Sequence, residues 1–221
     1  MSRLLFLFIG CLFMANLAYG QKYFQGLISY SNEREGEDAA VLDTILPNQV
    51  ICAYRRSDLS MVMMNGLREG FDDKLLILGK EKEIYLINDK EQEIYRVTNE
   101  LSSKDLSFPI INKQEEVVNI LGYPCQKYEV IDTVDQAPRH QYYWITTAIK
   151  TKNTEGYGTS MQPFTIQGIE GIGLKKVGYI EITGKIYLQT QTALWIKKKK
   201  PKAQYFKLPE GYTLEDYDDD D

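Results

Sequence analysis

Apolar and polar residues alternate with a period of two along most of this chain, and runs at helical spacing are few. Side chains on a strand point alternately to opposite faces, so the alternation predicts half-buried β-strands. It is densest in residues 120–147, ILGYPCQKYEVIDTVDQAPRHQYYWITT. Two runs rich in β-branched and aromatic residues, 125–131 and 141–147, flank a polar loop holding Asp132, Asp135 and Pro138. Gly122-Tyr123-Pro124 turns the chain into the first run, and the whole reads as a hairpin in the middle of a large antiparallel sheet.

The same pattern extends to both sides. Residues 23–30 put Phe24, Ile28 and Tyr30 on one face, with Gly26 as a point of close approach. A polar loop follows at 33–38. Residues 39–46 predict a short helix, because Val41, Leu42 and Ile45 fall at helical spacing and Pro47 stops it. Strands are expected again at 50–54 and 59–64. Residues 74–79, 82–88 and 92–99 read as a meander, with the fragment EIY at 83–85 and 93–95 on the two arms of a turn at Asn88-Asp89-Lys90. Residues 99–108 break the alternation, as a short helix capped by Asn99 or a loop ending before Pro109. Beyond the central hairpin, 150–159 is a long glycine-punctuated loop. The strands at 174–181 and 185–195 are joined by the tight-turn pair Thr183-Gly184.

Several of these stretches carry a family resemblance. The ILGYPC turn, KYEV and the aromatic YWIT strand resemble an uncharacterised periplasmic family of Bacteroidetes, domain of unknown function forty-four twelve. GIEGIGL at 168–174 is similar to the motif of the related GLPGLI family, with Glu170 where that family has proline, and FKLPEGY at 206–212 resembles the family's ending. Both families are grouped with the LolA/LolB-like lipoprotein carriers. The resemblance covers most of the chain after its leader. It implies a mainly β (α+β) fold, a half-open antiparallel β-barrel with one or two short helices, and a lid over the concave face from segments such as 99–108. It implies nothing specific about chemistry.

The N-terminus changes the compartment. Residues 1–20 hold one early positive charge, Arg3, then the apolar run 4–14, then a small-residue boundary at Ala18-Tyr19-Gly20, the pattern of a cleavable export signal. A membrane anchor would need an unbroken apolar span of about 20 residues, and Asn16 and Gly20 bracket a shorter one. Cys11, after Ile9-Gly10, is the alternative, a lipidation site, but the apolar run continues past it. The expected plan is thus a leader at 1–20, one β-rich domain at 21–212 and an acidic disordered tail at 213–221, in the periplasm or outside the cell.

Charge supports the division. The net charge is −5, but Arg3 lies in the leader and Glu215, Asp216 and Asp218–Asp221 lie in the tail, which leaves equal numbers of acids and bases between. A neutral body on an exported protein disfavours nucleic acid as partner. The run Lys197–Lys200, then Pro201 and Lys202, reads as protection of an edge strand, or alternatively as a contact for anionic headgroups or an acidic partner.

No catalytic set is legible. His140 is the single histidine and has no cysteine or acid at metal-ligand spacing, Ser160 is not in a strand-to-helix elbow, and the glycines at 168, 171 and 173 precede a strand where phosphate cradles open a helix. No cofactor is expected and binding is the better class than catalysis. Residues 59–64, LSMVMM, are apolar on both faces and rich in adaptable thioethers. In a half-open barrel a binding surface comes from alternate residues on several strands. Phe24, Ile28, Met61, Met63, Ile84, Leu86 and Tyr143 are the candidate lining, for a lipid, an acyl chain or an acylated protein. A self-filled core in an envelope assembly protein is the competing reading. Cys52 and Cys125, the pair left after the leader, are a disulfide candidate, with two buried thiols as the alternative. Intact mass of the exported product is expected to place the new N-terminus at Gln21; a diacylglycerol on Cys11 would refute this.

Overall fold

The computed structural model describes residues 23–64, 74–97, 109–134, 137–151, 164–166, 168–182 and 184–217. They form one sheet of twelve strands, β1 (Gly26–Glu35), β2 (Gln49–Arg55), β3 (Asp58–Met64), β4 (Lys74–Leu78), β5 (Glu83–Asn88), β6 (Glu93–Val97), β7 (Ile110–Ile120), β8 (Tyr123–Val134), β9 (Ala137–Thr146), β10 (Ile172–Ile182), β11 (Lys185–Lys197) and β12 (Thr213–Tyr217). Its spatial order is β12-β6-β5-β4-β3-β2-β1-β11-β10-β9-β8-β7. Two antiparallel meanders, β1 to β6 and β7 to β11, are therefore sewn together by a single ladder between β1 and β11. The edge strands β12 and β7 do not pair, so the sheet is a half-open barrel, mainly β, with one short helix α1 (Ala39–Ile45) and one 3-10 turn (Ala203–Phe206) among the described residues.

Residues directly opposite in a ladder share a face. One row runs Ile28, Cys52, Met61, Leu75, Leu86 and a second runs Tyr54, Leu59, Ile77, Ile84, Val97. Both rows belong to the main core cluster, and we call their side the inner face. Bulges at Ser29/Tyr30 and between Gly173 and Lys175 bend the sheet, and at that end Cys125, Trp144, Ile172 and Leu174 join the same cluster. Gly26 is required there, since a Cβ would overlap the Lys197 carbonyl and the Phe24 ring. On the outer face of the first meander, Ala53, Leu76, Tyr85, Ile87 and Ile94 are covered by Phe206 and its neighbours.

Several sequence expectations are corrected. The central hairpin is longer than read, because Asp132 and Pro138 sit inside the β8–β9 ladder, opposite Arg139 and Thr133. It lies toward one edge, and β1 and β11 hold the middle. β1 continues through the expected polar loop to Glu35, its polar residues pairing with the equally polar Leu188–Thr192 part of β11. β7, IINKQEEVVNI, has no clean alternation and was not expected; as an edge strand with mostly exposed side chains it needs none. Val41 points to solvent, and α1 packs through Ala39, Leu42 and Leu46. β11 is an internal strand, so Lys197–Lys200 protects no edge. The first five tail residues are ordered as β12, in parallel with β6, held by Arg96–Asp216 at 2.8 Å and an edge contact of Tyr95 with Tyr217. The expected leader and the 99–108 segment lie outside the described residues.

Tyr30 links the two meanders. Its ring stacks on Phe164 at 3.6 Å and its buried hydroxyl donates to the Gly173 carbonyl at 3.0 Å. Tyr30→Phe keeps the ring and orphans that carbonyl, so a loss of about 1–3 kcal/mol is expected. Urea denaturation should show a lower midpoint at unchanged slope.

Candidate functional site

The inner face is closed at most points by its own side chains. Ile28, Tyr30, Cys52 and Ile77 are fully buried, and the segment at 164–166 lies across the face, with Phe164 on Tyr30 and Ile166 against Val130, Tyr143 and Ile145. At the other end α1 covers Ile180, Ile182 and Tyr187. Two adjoining cavities among the described residues lie between these covers.

The larger of the two, about 440 Å³, is walled by Leu46, Pro47, Val50, Met61, Met63, Ile180 and Ile182, with Asn32, Arg34, Glu181, Gln189 and Gln191 as its polar part. The smaller, about 230 Å³, is lined by Val130, Asp132, Gln141, Tyr143, Thr165, Ile166, Lys176, Gly178, Tyr179, Ile180 and Gln189. Ile180 and Gln189 border both, so the cavities adjoin. The ladders place them on one face: Asn32 stands opposite Gln191, Gln191 opposite Lys176, and Lys176 opposite Tyr143. Together they form a trough that crosses the seam between the meanders.

The polar groups in this trough are mostly tied down. Gln191 donates to Asn32 Oδ1 at 2.7 Å, and Asn32 Nδ2 donates to the Pro47 carbonyl at 3.0 Å. Arg34, whose side chain is only 3% exposed, donates to Asp43 and to the Pro47 carbonyl, both at 2.8 Å, while its Nε is buried without a partner. The Tyr143 hydroxyl donates to Gln141 at 2.9 Å, and burial, with Asp132 nearby, raises its pKa. Lys176 is different. Its ammonium sits 5.3 Å from the centre of the Tyr143 ring, no acid pairs with it among the described residues, and burial pushes its pKa down to about 8. Asp132, in the same wall, stands opposite Arg139 in the β8–β9 ladder.

The seven residues expected to line a concavity divide between two environments. Met61, Met63 and Tyr143 front the trough. Ile28 and Ile84 are sealed in the core, against which Phe24 and Leu86 pack half-buried. Sequence reasoning missed Arg34, Ile180, Ile182, Gln189, Gln191 and Lys176. Arg34 is hidden in a run that reads as loop, and the bulge before Lys175 breaks the alternation that would have assigned Lys176 to a face.

Elsewhere the surface chemistry is structural. His140 pairs with Glu129 at 2.9 Å, and Glu129 also accepts from Tyr142; the histidine and Asn112 lower the carboxyl's pKa. Glu116 accepts from the Trp144 indole at 2.8 Å and from Lys127 at 3.0 Å. A depression of about 700 Å³ on the outside, between the β2–β3 and β4–β5 turns, carries Arg55, Arg56, Lys80 and Lys200 beside Asp58 and Glu81. No group of three or more potential metal ligands occurs among the described residues, and no helix there is long and apolar enough to cross a membrane.

The protein is thus an open, curled and almost wholly antiparallel sheet with a partly apolar trough on its inner face. No family model matches the chain, and no characterised protein matches it in sequence. Two solved structures of PNGF-II, in space groups C2 and P21, are similar in fold, with TM-scores of 0.52 and 0.51 at 19% and 20% identity. They match 89% and 88% of this chain but only 31% and 32% of theirs, so the chain spans about a third of their length.

Cys52 and Cys125 form no disulfide: both are free and buried in the main cluster. Their strands come from different meanders and supply two small apolar side chains to one core. Desolvation raises the pKa of the Cys52 thiol strongly and pushes that of Cys125 up to about 11. At pH 8 both are therefore protonated and shielded. A thiolate-directed reagent is expected to leave the native protein unlabelled and to label both after denaturation without reductant; no label after denaturation would restore the disulfide.

Proposed function

We propose that this protein is an exported, non-enzymatic carrier of a lipid, an acyl chain or an acylated protein, held in the trough on the inner face of a LolA/LolB-like half-barrel. The observation that carries the reading is the 440 Å³ cavity, whose walls include Leu46, Val50, Met61, Met63, Ile180 and Ile182. Ligand sites are commonly cavities of about 300–1,000 Å³ with mostly apolar walls and a few placed polar groups. Methionine at two wall positions suits an apolar guest of irregular shape. The leader pattern at 1–20 and the resemblance to the periplasmic families support export and the carrier class. PNGF-II contributes the fold alone.

A scaffold with a self-filled core is the second reading, and the buried Tyr30–Phe164 stack favours it. Native mass spectrometry of the protein purified from its host separates the two. The carrier reading expects an added mass in the range of a lipid or fatty acid that solvent extraction removes. Bare polypeptide as the sole species would sink it.

A further inference from the structure

Resting on that carrier reading, the structure points to the chemistry of the guest's polar end. We propose that Lys176 binds the anionic head of a single-chain amphiphile, a long-chain carboxylate, whose tail lies along Ile180 and Ile182 toward Met61 and Met63.

The argument starts from charge. Asp132 in the trough stands opposite Arg139 in the ladder, Arg139 is paired with Glu181 at 3.6 Å, and Arg34 is paired with Asp43 at 2.8 Å. Both arginines thus have an acid partner. Lys176 has no acid partner among the described residues, although it shares its cavity with Asp132 as well as with Val130, Tyr143, Ile166 and Ile180. The Tyr143 face offers a weak cation–π contact, which compensates a desolvated ammonium only in part. An amine held this way gains most from a guest that brings its own negative charge.

The geometry fits a head and one tail. Lys176, Gly178, Ile180 and Ile182 succeed one another on the same face of β10, which at strand rise covers about 20 Å. Lys176 opens on the smaller cavity, Ile182 and both methionines on the larger, and Ile180 joins them. A single ammonium matches a single carboxylate, and the modest volumes suit one chain rather than two.

Displacement of the neutral fluorophore N-phenyl-1-naphthylamine by oleate and by oleyl alcohol tests this on the mature protein. Wild type is expected to prefer oleate by about tenfold or more, the worth of one charge-assisted hydrogen bond. Lys176→Met should abolish that preference by weakening oleate relative to oleyl alcohol, and Lys176→Arg, which keeps the charge, should retain it. Equal affinity for the two ligands in wild type, an unchanged preference in Lys176→Met, or its loss in Lys176→Arg overturns the head-group assignment and leaves the carrier reading standing. If neither ligand nor the fluorophore binds at all, both fall together.

Discussion

The ladder between β1 and β11 holds the two meanders together over residues 27–35 and 188–197. Each meander is built from neighbouring strands, most joined by short turns, so its pairing is local. The seam joins residues about 160 apart, as in Gln191 and Asn32, and it alone turns two small sheets into one curled surface. Closing so long a loop costs chain entropy that local hairpins do not face, and topologies dominated by such pairings fold slowly. Its register also decides what the inner face contains. Tyr30 opposite Ala193, Asn32 opposite Gln191 and Arg34 opposite Gln189 put one aromatic and two polar side chains inward. A slip of one residue would expose all three and bury Ser31, Glu33 and Glu35 in their place.

That polar inward run explains why the core is interrupted where it is. From Ile28 to Tyr30 the seam is apolar and closed; from Asn32 onward it carries amides and a guanidinium, which cannot be packed like leucine without partners. The Gln191–Asn32 bond inside the seam satisfies one pair and is compatible with a single register, so the polar belt contributes specificity where a continuous apolar ladder would tolerate sliding. The orphaned Arg34 Nε is an unfavourable term of order 1–3 kcal/mol in the same place. The cavity thus sits at the point where the sheet gives up close packing, and the helix α1, bridged to the belt by Arg34–Asp43, covers it.

Much of the fold was legible because period-two alternation survives in strands with one buried face. Residues 50–54, 59–64 and 82–88 fall within one residue of β2, β3 and β5, and the duplicated EIY does mark the two arms of a hairpin. The failures share a cause. β7, the distal part of β1 and β12 are strands whose side chains are largely polar or exposed, and they owe their conformation to backbone pairing with a neighbour. Tertiary pairing of that kind leaves little trace in side-chain pattern. The same holds for the trough: Met61 and Met63 stood out by type, whereas Lys176 and Arg34 acquire their meaning only from the strands opposite them, across a bulge in one case and in a run of charged residues in the other.

The two covers over the inner face differ in how firmly they are held, and this bears on how the interior is reached. The 164–166 segment is anchored by a buried aromatic stack, by Ile166 in its own cluster and by a backbone bond from Gly173 to the Phe164 carbonyl at 2.7 Å. Helix α1 has seven residues, starts from Asp38 in the left-handed region with no side-chain cap, and carries no acidic residue in its first turn. So short a helix has negligible stability of its own. It is held by Ala39, Leu42 and Leu46 on Tyr187, Ile180 and Ile182, and by ion pairs of Asp38 with Lys185 and Asp43 with Arg34 that reach or lie at the surface. Regions with few buried contacts open at lower free energy than the core around them. The unpaired edges keep the barrel from closing, and of these two covers the less firmly anchored one lies over the Met61–Met63 cavity, the larger of the two adjoining spaces.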